Sequence, residues 1–111
     1  MIVKKLINTK VEGNVEITKR EIKEVSKEDE KKILDFVQEI IDDDGDPESY
    51  YSKGIGDDFN GDIAWINFDW LINYLKDRQT DLEDEKEQEE SEYKNNKEIL
   101  PVLNKYKGYV F

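Results

Sequence analysis

Among 111 residues there is no cysteine, no histidine, one methionine and only two prolines. Without cysteine there are no disulfides, thiolate nucleophiles, zinc ribbons or iron–sulfur clusters. Without histidine there is no Ser-His-Asp relay, no imidazole metal ligand, and no side chain that titrates near neutrality unperturbed. Long apolar runs are also missing. Uncharged stretches such as residues 63–68 fall far short of the roughly 20 residues a membrane span requires. The first seven residues, Met1-Ile2-Val3-Lys4-Lys5-Leu6-Ile7, carry no apolar core and no small-residue cleavage site, so they do not read as a secretory leader. A cytoplasmic location is the expectation from these features.

Acid is plentiful. Asp and Glu number 28 against 17 Lys and Arg, giving a formal charge of −11, and charged residues make up 41 % of the chain. Hydrophobic residues reach 36 %, below the roughly 45–50 % of an average globular domain. The length suits one domain with one core, residues 1–111. An acidic chain is repelled by phosphates and anionic lipid, which argues against direct binding to nucleic acid or membrane. The acid is unevenly placed: residues 1–25 and 99–111 are each net +2, whereas 26–47 and 81–98 are each net −6. Within 81–92 stand eight carboxylates and one lysine, Lys86. Such a run reads either as a solvated helix, partly disordered, or as a partner-binding surface.

Local patterns predict an α+β fold. Residues 2–11 and 15–25 are rich in β-branched side chains around Glu12-Gly13-Asn14. A three-residue loop there would set Val11 opposite Val15 and Lys10 opposite Glu16. Ser26 followed by Glu28 and Asp29 is a helix start, because a serine oxygen satisfies an orphan amide and acids suit the positive end. Ile33, Leu34, Val37, Ile40 and Ile41 then form one apolar face, and Asp44-Gly45 with Pro47 marks the stop. Asn60-Gly61 is a type I′ hairpin signal between arms 55–59 and 62–66. Phe68, Leu71, Ile72 and Leu75 give a second helix face, which places Trp70 and Tyr74 on its other side. Leu82, Tyr93 and Leu100 could then hold a long acidic helix ending by about Glu98, since Pro101 disfavours α geometry at Leu100. The tail 106–111 is aromatic and β-branched and could close a sheet. The expected order is ββ-α-ββ-α-α-β, two hairpins packed with an amphipathic helix, a second helix and a long acidic one.

Few motifs carry chemistry. Asp42-Asp43-Asp44-Gly45-Asp46 invites a calcium reading, but an EF-hand with Gly45 at position 6 puts Ile40 at position 1 and Tyr51 at position 12. Gly61 at position 6 gives Gly56 and Asn67 instead. Both registers fail. Gly54-Ile55-Gly56 lacks the rest of a dinucleotide fingerprint. With 28 acids, a pair suited to acid–base or metal-assisted hydrolysis arises by chance. The expectation is therefore no enzyme, no cofactor and no dedicated metal site.

The aromatic cluster Phe59, Trp65, Phe68, Trp70 and Tyr74 serves a small core, with Trp70 and Tyr74 left as candidate interface anchors. The reading that follows is a small acidic inhibitor whose partner is a basic protein. A negative field speeds encounter with a cationic surface, and carboxylates along a helix can occupy a groove that normally holds a phosphate backbone. Candidate contact residues are Asp81, Glu83, Asp84, Glu87 and Glu90, with Trp70 and Tyr74, and the loop acids Asp42, Asp43, Asp44, Asp57 and Asp58. Two settings fit: immunity to a nuclease toxin, and a phage-encoded block of a bacterial defence nuclease of the anti-CRISPR or anti-restriction type. The long acidic stretch leans toward the second. The alternatives are an adaptor whose acidic helix only solubilises it, and a carboxylate hydrolase with a divalent ion.

Overall fold

The computed structural model describes residues 1–12, 15–43, 54–57 and 62–111, with backbone only for 6–12, 15–19, 43 and 57. Two antiparallel hairpins and three helices follow one another: β1 (Ile2–Glu12), β2 (Val15–Glu24), α1 (Lys27–Asp43), β3 (Ile55–Asp57), β4 (Ile63–Ile66), α2 (Phe68–Asp84) and α3 (Ser91–Asn104). The expected α+β layout is what forms. No helix among the described residues is long and apolar enough to cross a membrane.

Side-chain periodicity explains the core. Ile33, Val37 and Ile40 of α1 lie against Phe68, Leu71, Ile72 and Leu75 of α2 and Ile99, Val102 and Leu103 of α3. Leu34 and Ile41 flank the α1 face, half-buried. Ser26 starts α1 as expected, its Oγ accepting from the Asp29 amide at 3.2 Å. Asn67 does the same for α2, accepting from the Trp70 amide at 3.2 Å.

Two local expectations shift. The β1–β2 register pairs Glu12 with Val15 and Val11 with Glu16, with an irregularity between Thr9 and Val11. Two residues rather than three connect the strands, and Lys10 becomes the extra residue of a bulge. The turns around Gly45, Pro47 and Asn60-Gly61 lie outside the described residues. Finally, α3 runs through Pro101 to Asn104 instead of ending near Glu98. An interior proline costs about 3 kcal/mol. Burying Ile99, Val102 and Leu103 on the surrounding turn offsets it.

The tail does not form a full strand, yet it joins the two hairpins. Val110 exchanges both backbone hydrogen bonds with Lys4 (2.9 and 2.8 Å), and Phe111 does so with Ile66 (3.1 and 2.9 Å). Residues 109–111 thus lie between β1 and β4, with alternate residues facing alternate neighbours. The radius of gyration is 16.2 Å, against about 13 Å for a compact chain of this length.

Candidate partner-binding surface

The acidic run folds as a corner, not a rod. α2 stops at Asp84, and its last turn closes with two bonds: the Lys86 amide to the Glu83 carbonyl (3.1 Å) and the Glu87 amide to the Leu82 carbonyl (2.8 Å). This pairing is a Schellman motif, which requires a left-handed residue after the cap. Lys86 takes that place with φ of 58°. The expected acidic segment 81–98 is therefore spread over the end of α2, a turn, and the start of α3. Leu82 and Tyr93 are both buried as expected, but from two separate helices and not along the stripe of one long helix.

Polar contacts from surface to core edge fix the corner. Arg78 grips Glu92 with Nε (2.7 Å) and Nη2 (3.1 Å), a bidentate geometry that adds direction to charge. This contact holds the Glu92 carboxyl below its usual range. Gln79 donates to the Tyr93 carbonyl (3.2 Å) and accepts from Asn96 Nδ2 (2.8 Å). Tyr93 donates its hydroxyl to Glu83 at 2.7 Å, which raises the Tyr93 pKa. Sequence reasoning did not find this network. In one continuous helix, positions 78 and 92 would lie about 21 Å apart, so only the break brings them together. The signal for that break is absent, because Lys86 stands where glycine would announce it.

Asp81, Glu83, Asp84, Glu87 and Glu90 are all exposed, as are Glu85 and Glu89. Of the five candidates, Glu83 also serves the fold through Tyr93. Trp70 and Tyr74 stack with ring centroids 5.4 Å apart and planes inclined by 21°. Both are half-buried against the core, and the Trp70 ring lies directly over Gly54, where a Cβ would collide with it. Tyr74 and Asp84 are ten residues apart along α2, about 15 Å, so the aromatic pair and the acidic corner are separate features. Asp42 is exposed and accepts from Gln38 at 2.9 Å. Asp43 and Asp57 are described as backbone only, and Asp44 and Asp58 lie outside the described residues.

Basic residues gather elsewhere. Lys23 lies over the rings of Tyr106 (5.2 Å) and Tyr109 (5.8 Å), Lys5 over Tyr109 (6.0 Å). Lys105 pairs with Asp29 at 3.2 Å. This cluster sits at the far end of α3 from the corner, about 20 Å away. Among the described residues no three potential ligands converge on a metal-sized site. What the corner offers chemically is a fixed array of carboxylate acceptors for ammonium and guanidinium donors. Comparison with family models, curated proteins and solved structures finds no match for this chain.

Proposed function

We propose that this chain is a non-catalytic inhibitor that presents the α2–α3 corner to the basic nucleic-acid-binding surface of a nuclease or similar effector. One observation carries the reading: the acids of the corner are exposed while its backbone is fixed. Carboxylates held apart in this way already carry their mutual repulsion in the folded state. A cationic groove that neutralises them relieves it.

The corner also refines the shape of the mimicry. Acids along one helix would imitate a length of phosphate backbone; acids on a turn between two helices make a compact anionic knob. Such a knob fills the narrow part of a cationic groove and blocks the phosphate path there. A nuclease toxin and a bacterial defence nuclease both possess such a groove, so the same chemistry serves either setting.

The test is affinity capture from cells that carry this gene. The parent chain and an Asp84→Lys, Glu87→Lys, Glu90→Lys variant are used side by side. A supporting result is a protein retained by the parent alone whose nucleic-acid binding or cleavage stops when the parent is added stoichiometrically. Equal retention by both chains, or a retained protein whose nucleic-acid binding is unaffected, contradicts the proposal.

A further inference from the structure

Among the described residues, the first hairpin has one closed edge and one open edge. The β1 edge is covered where Lys4 exchanges both bonds with Val110. Among the described residues nothing pairs with the outer edge of β2. The direction of its backbone groups follows from the ladder. Val25 donates to Met1 at 2.9 Å, and Lys4, the partner of Ile22, turns its groups away from β2. Bonded and non-bonded pairs alternate in an antiparallel ladder. Val3–Lys23 and Lys5–Glu21 are therefore bonded pairs, and Arg20, Ile22 and Glu24 turn their N–H and C=O groups outward.

The side chains at that edge are self-complementary. Residues 20–24 read Arg-Glu-Ile-Lys-Glu, all exposed, and Ile22 is 68 % exposed. An antiparallel copy centred on Ile22 places Arg20 opposite Glu24 twice, Glu21 opposite Lys23 twice, and Ile22 opposite itself. Neighbouring registers do not. Centring on Glu21 opposes Glu21 to itself and Lys19 to Lys23. Centring on Lys23 opposes Lys23 to itself and Ile22 to Glu24. Centring on Arg20 opposes Arg20 to itself and Glu16 to Glu24. The favoured register also brings the outward-facing residues 20, 22 and 24 against their counterparts, as bonded pairs require.

We propose that β2 pairs with β2 of a second copy of this chain about a two-fold axis at Ile22, giving an isologous dimer with a continuous sheet across it. The charge map permits the approach, since residues 1–25 are net +2 in a chain of −11. Edge strands often carry charge to prevent pairing, but that protection works through like charges meeting. Here the two-fold axis brings opposite charges together. Lys23 already donates to the Lys105 carbonyl at 3.0 Å, so the Arg20–Glu24 pairs and Ile22 carry most of the contact. The proposal uses no residue of the acidic corner and does not depend on the inhibitor reading.

A single strand edge is a small interface, so sedimentation velocity should span about 5 to about 500 µM, the weak range for such areas. The parent is expected to shift from monomer to dimer across it. Arg20→Glu and Glu24→Arg, each alone, set like charges face to face and should raise the dissociation constant at least about tenfold. The two variants mixed in equal amounts should recover the dimer as a heterodimer, because each supplies the charges the other now needs. The Arg20→Glu, Glu24→Arg double variant should recover it alone. Ile22→Pro removes an outward N–H and the Ile22 side chain while leaving the bonds to β1 in place, and it should abolish dimerisation, with circular dichroism confirming that the fold persists. A parent that stays monomeric throughout overturns the proposal. So do single variants that dimerise like the parent, or a mixture that stays monomeric.

Discussion

Asp29 and the acids of the α2–α3 corner are the same chemistry put to opposite uses. Asp29 is 8 % exposed and accepts from the Tyr106 hydroxyl at 2.8 Å and from Lys105 at 3.2 Å, joining the first turn of α1 to the segment after α3. The corner carboxylates are exposed; Glu83 and Glu92 reach back to hold the turn, and Glu89 pairs with Lys94 at 3.4 Å. In a chain with 28 acids, structural work falls on a few that are buried or gripped by partners. Among the described residues, Asp81, Asp84, Glu85, Glu87 and Glu90 of the corner are exposed to solvent instead. That difference can be broken or sharpened experimentally.

The harshest test adds a carboxylate that belongs to neither kind. Val37 is fully buried, so Val37→Asp creates a buried charge without partners and should destabilise by about 4 kcal/mol. Asp35→Asn, on the exposed side of the same helix, should leave the denaturation midpoint nearly unchanged. Equal midpoints for the two variants would contradict the placement of the α1 face.

Next comes removal of the structural acid itself. Asp29→Ala removes the acceptor to which the buried Tyr106 hydroxyl donates and should cost about 2–3 kcal/mol in chemical denaturation. Tyr106→Phe keeps the Lys105 pair and should cost about 1 kcal/mol. The pH dependence separates the two further. Tyr106 hydrogen bonding holds the Asp29 carboxyl below its ordinary range. That stability is therefore present above the unfolded pKa and is lost as pH falls below about 4. Burial, with Asp29 adding to it, pushes Tyr106 up to about 12. Its contribution is full below the unfolded pKa near 10 and is lost as pH rises from about 10 to about 12. The advantage of the parent over Tyr106→Phe should shrink across that alkaline interval.

Lys86 gives a smaller effect of opposite sign. A residue with a Cβ is strained in the left-handed region, so Lys86→Gly should stabilise by about 0.5–1 kcal/mol. Loss of stability there would contradict the Schellman turn. The smallest effect on the fold belongs to the corner surface. Asp84→Lys, Glu87→Lys, Glu90→Lys should shift stability by less than about 0.5 kcal/mol, since these side chains are solvated.

Much of this architecture was legible because its signals are local. The face of α1, the face of α2 and the Ser26 cap all follow from periodicity and capping chemistry. What was hidden depends on partners far apart in the chain. The corner required a lysine in a glycine conformation, and its stabilising pair, Arg78 and Glu92, meets only after the helix has turned. Pro101 reads as a stop until the burial around it is known. The tail reads as a strand, but only tertiary structure shows it lodged between Lys4 and Ile66. The candidate site was legible as charge and not as shape: the run 81–90 reads as exposed acid from the sequence alone, while the bond from Tyr93 to Glu83 and the separation of the Trp70–Tyr74 stack appear only in the fold.

The central claim is that the exposed acids, and not the aromatic stack or the basic end, drive recognition. Its most direct measurement is the association rate with the captured partner as ionic strength rises, for the parent and for the Asp84→Lys, Glu87→Lys, Glu90→Lys variant, whose net charge is six units less negative. The parent should associate fast at low salt and slow steeply as salt is added. The variant should start at least about tenfold slower and depend weakly on salt. Association rates that match in the two chains and stay flat with salt would contradict the account and move the search to Trp70 and Tyr74.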